Sequence, residues 1–294
     1  MSCFLCHSHV SMAALCLGSL LRCHEGSITV NFHDDGSLTS SDVDELRSGV
    51  PSCCIIRRKD ADERMSYELR RFPAQRRFRT ETCMGLKLCD TVYHNPSEVY
   101  VYSDADVLYL RPFAKLFDLP DSSTNALFMY DSVDNTYSFR SWQLMLARGV
   151  LLPQRVNAGL ACMRKSSYDP EFIEWFLSVP ARGGKRHNGV PEQTAWAALG
   201  MRVGCRLWSP ESVAVGRKGL TISPKLIAAH FVGMFRSSMK DYVKPGLQAN
   251  SARIIPATMS ARRCSSAHLA IGEFKRIASR GAKRLLARFN HYRP

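Results

Sequence analysis

Val99-Tyr100-Val101-Tyr102-Ser103-Asp104-Ala105-Asp106-Val107-Leu108 is an apolar, β-prone run that ends abruptly in two carboxylates one residue apart. On an extended backbone alternate side chains share a face. Asp104 and Asp106 therefore stand side by side at a strand's end and repel each other unless a cation lies between them. Mg²⁺ and Mn²⁺ take oxygen ligands and keep positions open for phosphate oxygens. The segment suits a metal seat for a diphosphate, with an ordinary acidic turn as the competing interpretation, so its surroundings must arbitrate.

Upstream, Met1–His7 has the character of a first strand, and Ser8–Cys23 carries apolar residues at helical spacing. Ser27–His33 alternates as a strand and runs into the turn signal Asp34-Asp35-Gly36-Ser37. Ser41 is the expected cap of a helix through Leu46, and Cys53–Ile56 is a further strand. Arg57–Leu88 is charged and mostly helical, broken at Pro73. Downstream, strands are expected at Thr124–Tyr130, Asn157–Met163 and Leu226–Phe231, and helices at Ser138–Arg148, Pro170–Leu177 and Pro191–Leu199. This alternation predicts an α/β domain with a mixed, mainly parallel sheet flanked by helices. Ligands of such sheets lie outside the carboxyl ends of the strands, where Asp34-Asp35 and Asp104/Asp106 both fall. One domain is expected over residues 1–250 and a basic tail over 251–294.

The 294-residue chain has a formal net charge of +14 and is 45% hydrophobic and 22% charged, which excludes a disordered chain and suggests an anionic partner. The positive charge concentrates at the end: Arg262, Arg263, Lys275, Arg276, Arg280, Lys283, Arg284, Arg288 and Arg293 face only Glu273. Leu269, Phe274, Ile277, Leu285 and Phe289 fall near helical periodicity among them, the pattern of an amphipathic helix on an anionic membrane surface. No compact nucleic-acid-binding motif is present, so a nucleic-acid partner is not expected, although it would account for the charge.

Eleven cysteines cannot all pair within one chain, and Cys16, Cys89, Cys162 and Cys205 sit in apolar runs. They are expected to be reduced thiols. No run of eighteen apolar residues suggests a membrane span. Val10–Leu21 lacks the preceding basic segment and following cleavage site of a signal peptide. The expected location is cytoplasmic, peripheral on the inner face of a membrane if the tail binds there. Cys3-Phe4-Leu5-Cys6-His7 matches the spacing for covalent haem attachment, but that chemistry needs an exported chain and is set aside. Zinc at Cys3, Cys6, His7 and His9 is disfavoured because neighbouring strand side chains point to opposite faces.

Four signals stand in order: Asp34-Asp35-Gly36-Ser37-Leu38; Ser103-Asp104-Ala105-Asp106; Asn157-Ala158-Gly159 followed by Pro191-Glu192-Gln193; and His230-Phe231-Val232-Gly233 with Arg236 three residues on. This order resembles the GT-A glycosyltransferases, and its second half most resembles the retaining galactosyltransferase and glycogenin group, glycosyltransferase family 8. The resemblance spans roughly residues 27–236. It implies a metal-dependent hexosyltransferase that uses a nucleotide-diphosphate sugar, a UDP-sugar above all, and a glycan or glycolipid acceptor.

Carried over by position, the resemblance gives Asp104, Asp106 and His230 to a Mn²⁺ or Mg²⁺ ion, with Asp104 and Ser103 at the donor. Asn157 and Gln193 face the donor sugar, and Gly159 leaves room for it. Gly233 and Arg236 belong to the diphosphate site, although Arg236 replaces the family's Lys and is a fork rather than a point charge. Arg79 and Lys87 come from a region that supplies a cation to the donor, and Asp131 or Asp134 from one that holds sugar hydroxyls. Two features keep an inverting reaction open. Asp35 lies in an Asp-Asp-Gly-Ser more like that of the inverting family 2 enzymes, where an acid reads the uracil. Glu192 replaces the usual Asp and lies near the place of their general base.

Overall fold

The computed structural model describes residues 1–133, 137–138, 143, 149–178, 191–216, 219–243, 252–272, 274 and 278. The chain opens β1 (Ser2–Leu5), α1 (Val10–Cys23), β2 (Val30–Asp34), α2 (Ser40–Gly49), β3 (Cys53–Ile56). Three successive helices follow, α3 (Arg58–Glu68), α4 (Pro73–Glu81) and α5 (Cys83–Tyr93), leading into β4 (Val99–Ser103). Beyond it come β5 (Val107–Tyr109), β6 (Ala126–Tyr130), β7 (Val156–Arg164), α6 (Pro170–Ser178) and α7 (Pro191–Val203). The described elements close with β8 (Cys205–Trp208), β9 (Val213–Val215), β10 (Ala228–His230), a 3₁₀ segment Gly233–Tyr242 and β11 (Thr258–Ser260).

Among the described residues one sheet has eight strands in the order β11-β8-β6-β7-β4-β1-β2-β3, and a second has β5-β10-β9. Strands β3, β2, β1 and β4 are mutually parallel, β7 runs antiparallel between β4 and β6, and β8 is parallel to β6. This is the expected mixed α/β sheet. Its side chains sort by the period of two. Tyr100 and Tyr102 of β4 and Phe128 of β6 enter the core under α5, α6 and α7, where Trp196 stacks on Tyr100 at 5.5 Å. Leu127 and Met129 enter the opposite core with Leu17 and Leu20 of α1, and Val99 and Val101 pack against it.

Local chemistry explains the boundaries that differ from expectation. The cap of α2 is Thr39, not Ser41: Thr39 Oγ1 accepts from the Asp42 amide, and the Asp42 carboxylate accepts from the Thr39 amide. Pro73 starts α4 rather than merely ending a helix. Thr82 then ends α4 and caps α5. A Cβ on Gly85 would lie 2.4 Å from the Arg79 Cα, so that corner admits only glycine. Strands β5, β8, β9 and β11, of three or four residues each, are not among the expected strands. Ser138 and Gln143 alone are described from the expected helix 138–148, and Asp134 and most of the tail beyond 274 lie outside the described residues.

Candidate active site

After β4 the chain turns back on itself through the Val107 amide, which donates to the Asp104 carbonyl at 3.3 Å. The next strand, β5, pairs antiparallel with β10 so that His230 lies opposite Val107. The Phe231 amide donates to the Asp106 carbonyl at 2.9 Å. This register delivers a histidine from 124 positions downstream of Asp106 (230 − 106) to the Asp-x-Asp turn. One ligand atom each from Asp104, Asp106 and His230 lies within 4.8 Å of the others. His230 Nε2 is 2.9 Å from Asp106 Oδ1 and 3.5 Å from Asp104 Oδ2.

The other face of the His230 ring is fixed. Asn157 Oδ1 lies 2.9 Å from His230 Nδ1 and accepts from the Gly159 amide at 2.9 Å. Asn157 Nδ2 donates to Asp131 Oδ2 at 3.0 Å, which settles the orientation of the amide. With Oδ1 as acceptor, Nδ1 of His230 carries a proton. Nε2 then faces two carboxylates either as imidazolium or with a lone pair directed at a cation. Burial disfavours the charged ring, but Asp106 and then Asp104 outweigh it and raise the His230 pKa. Burial likewise opposes the charge on Asp106, yet His230 and Arg236 hold its carboxyl well below the usual range. Two carboxylates and a tautomer-fixed imidazole are a donor set that fits a divalent cation.

Asn157 sits at a β-bulge: the β6–β7 register jumps between Phe128 and Met129, leaving Ala158–Leu160 without partners on β6, although Leu160 still pairs with Ser103 of β4. A Cβ on Gly159 would lie 2.2 Å from His230 Cε1 and Nδ1. The room expected there for a sugar is filled by the imidazole ring, and the glycine serves the close approach of His230 to the sheet.

Two cations flank the cluster. Lys87 on α5 is buried, with Nζ 3.1 Å from Asp104 Oδ1 and 3.3 Å from Glu192 Oε1. Burial opposes its charge, but Asp104 and Glu192 prevail and raise its pKa. Glu192, on the first turn of α7, is 2% exposed, and its Oε1 has an ion pair with Lys87 but no hydrogen bond among the described residues. Burial pushes Glu192 up to about 7 against the pull of Lys87. On the other side Arg236 Nε donates to Asp106 Oδ2 at 2.7 Å, and Arg236 Nη1 to His9 Nε2 at 3.0 Å. Gln193 Oε1 accepts from the Ala158 amide at 3.1 Å, tying α7 to the bulge.

These groups line a cavity of about 570 Å³ to which Asp35, Lys87, Asp104, Asp106, Asp131, Asn157, Glu192, Gln193, His230 and Arg236 all contribute. Asp131 is held high by burial, against the Asn157 amide. Asp35 engages Ser37, whose amide donates to it at 2.9 Å. Four expected residues are not in the lining. Arg79 spends its guanidinium on Asp90, at 2.7 Å through both Nε and Nη2, and on Asp62 at 2.6 Å. Ser103 is buried and accepts from the Tyr109 hydroxyl at 3.3 Å. Gly159 backs His230, and Gly233 opens the 3₁₀ segment that carries Arg236.

Sequence reasoning missed Tyr102, whose hydroxyl donates to Asp104 Oδ1 at 2.6 Å. Its place two residues before Asp104 on one strand face was the available signal. It also missed Cys83, one helical turn before Lys87, and the contact of His9 with Arg236. Nothing in the local sequence signals the latter.

This architecture is the GT-A glycosyltransferase fold. The galactosyltransferase LgtC, in a structure with donor and acceptor sugar analogues, matches with TM-score 0.53 and 14% identity over 79% of this chain and 87% of its own. An active-site mutant of LgtC matches with TM-score 0.55 and 12% identity over 84% and 91%. Mouse xyloside xylosyltransferase 1 matches with TM-score 0.54 and 12% identity over 78% and 96%. No family model and no curated protein sequence matches the chain.

Proposed function

We propose that the chain is a metal-dependent glycosyltransferase that moves a hexosyl unit from a nucleotide-diphosphate sugar, a UDP-sugar in the first place, to a glycan or lipid-linked acceptor. The observation that carries this reading is the convergence of Asp104, Asp106 and His230 on one point of a cleft in a GT-A fold. A bound Mn²⁺ or Mg²⁺ would draw charge from the departing diphosphate. Arg236 supplies a second positive group on the same side, where negative charge grows as the bond to the sugar breaks. Lys87 keeps Asp104 and Glu192 compatible with one another, and Asn157 and Gln193 present fixed amides to the wall where a sugar would sit.

We favour retention. Gln193 and Asn157 are held by the bulge and by Asp131, and an acceptor hydroxyl entering on the face the diphosphate leaves needs no strong protein nucleophile. An inverting reaction is supported by one observation: Glu192, held near 7, is poised to take a proton at neutral pH. Incubation with Mn²⁺ and a panel of nucleotide sugars, followed by NMR of the product anomer, tests both. Transfer or slow hydrolysis of one sugar supports the transferase, and product configuration chooses the route. No turnover with any donor refutes the enzyme.

We also place the protein at a cytoplasmic membrane surface through its basic tail. Among the described residues no helix is long and apolar enough to cross a membrane. Leu269 packs into the core, while Ile271 is 56% and Phe274 74% exposed just before the run of Lys and Arg. Co-sedimentation with anionic but not neutral vesicles, lost on deleting 275–294, supports this placement.

A further inference from the structure

The 3₁₀ turn His7–His9 follows β1, and His9 is the N-cap residue that precedes α1. The His9 side chain makes no capping bond to that helix. Its ring turns into the cleft, where Nε2 meets Arg236 Nη1 at 3.0 Å. Arginine has only donors, so His9 Nε2 must be the acceptor and must carry no proton.

Arg236 itself lies on the 3₁₀ segment Gly233–Tyr242, with 41% of its side chain exposed. A guanidinium on such a chain has many rotamers to lose when a ligand arrives. Here Nε is anchored on Asp106 at 2.7 Å and Nη1 on His9 at 3.0 Å, two residues from different parts of the chain. Two anchors fix both the position and the plane of the fork, and its other N–H groups are left for an anion in the cavity. Asp106 alone would fix one end only.

We propose that His9 is a positioning residue for Arg236: it accepts from the guanidinium and orders it for a diphosphate before the ligand binds. This rests on the donor site of the preceding subsection, while the His9–Arg236 contact can be measured apart from it. The ionisable groups that bear on His9 are Arg236 on the 3₁₀ segment, Asp104 and Asp106 on the β4–β5 turn, and Asp35 after β2. Burial and then Arg236 lower the His9 pKa, in keeping with a neutral acceptor.

The first arm of the test uses the protein alone. Ring ¹⁵N NMR of His9 should show an unprotonated Nε2 at neutral pH, and Arg236→Ala should raise the His9 pKa. Titration of His9 indifferent to Arg236 overturns the contact. The second arm measures UDP binding with Mn²⁺ by calorimetry. His9→Ala should weaken UDP by about tenfold, the scale of one charge-assisted hydrogen bond. His9→Gln, whose amide oxygen can take the place of Nε2, should recover most of that loss. In an Arg236→Ala background His9→Ala should cost less than roughly twofold more, because its effect passes through the arginine. An equal loss in both backgrounds makes His9 an independent ligand contact, and no loss in either removes it from the site; both overturn the proposal. Failure of the unaltered protein to bind UDP refutes the donor site itself, and the NMR arm still decides the contact.

Discussion

Gly159→Ala probes how His230 is seated. The added Cβ would meet His230 Cε1 and Nδ1 at 2.2 Å and Asn157 Oδ1 at 2.9 Å. Ordinary van der Waals contact starts near 3.4 Å, so the ring must retreat by 1.2 Å (3.4 − 2.2). His230 Nε2 sits 2.9 Å from Asp106 Oδ1, and Nδ1 sits 2.9 Å from Asn157 Oδ1. A displacement of that size breaks at least one of these contacts. Gly159 is not among the glycines with positive φ, so alanine adds no backbone strain and the effect is steric. Overpacking of this kind costs about 1–3 kcal/mol, which a domain of this size should survive folded. The metal site should suffer more, because displacing a ligand's support weakens metal binding by about 10–100-fold. Mn²⁺ titration followed by electron paramagnetic resonance reads this directly, with circular dichroism confirming the fold. Affinity equal to that of the unaltered protein in a folded variant would refute the seating of His230 as a ligand.

Glu192→Gln should remove a limb from the pH–rate profile: if ionised Glu192 works in the reaction, kcat/KM rises through pH about 7 and the variant loses that rise. His33 is buried with both ring nitrogens unpartnered among the described residues, and burial pulls its pKa down to about 3. Its contribution to stability is therefore complete above the unfolded value of 6.5 and is lost as pH falls toward 3. Urea unfolding between pH 7 and 5 should fall more steeply for the unaltered protein than for His33→Leu, by up to about 1.4 kcal/mol per pH unit; parallel curves contradict this. Arg79→Met strands the buried Asp90 carboxylate and should cost about 3–5 kcal/mol of stability. Its folded fraction should keep normal UDP affinity, and a selective loss of UDP binding would return Arg79 to the donor site.

The strand that carries Asp104 and Asp106 was legible because five β-prone residues in a row end in charge. So were the helices at Pro170 and Pro191, where a proline marks each start, and in the first of them Phe172 and Phe176 are buried while Trp175 is 37% exposed. The pairing of β5 with β10 was not, since three-residue strands carry no period and their register depends on contacts more than a hundred residues apart. The same distance effect governs the site. Asn157, Glu192, Gln193 and His230 could be named as candidates, but that Asn157 fixes the His230 tautomer follows only from the bulge in β7. Arg79 misled because a basic helical run looks alike whether its cations meet a ligand or carboxylates such as Asp62 and Asp90, both outside the local pattern.

The most direct measurement is a crystal soaked with Mn²⁺ and UDP, with diffraction collected at the manganese edge. An anomalous peak within coordination distance of Asp104, Asp106 and His230 Nε2, with diphosphate oxygens completing the shell beside Arg236, is the expected result. Density for UDP with no ion at that point, or an ion bound elsewhere in the cleft, would contradict a metal centre built from these three residues.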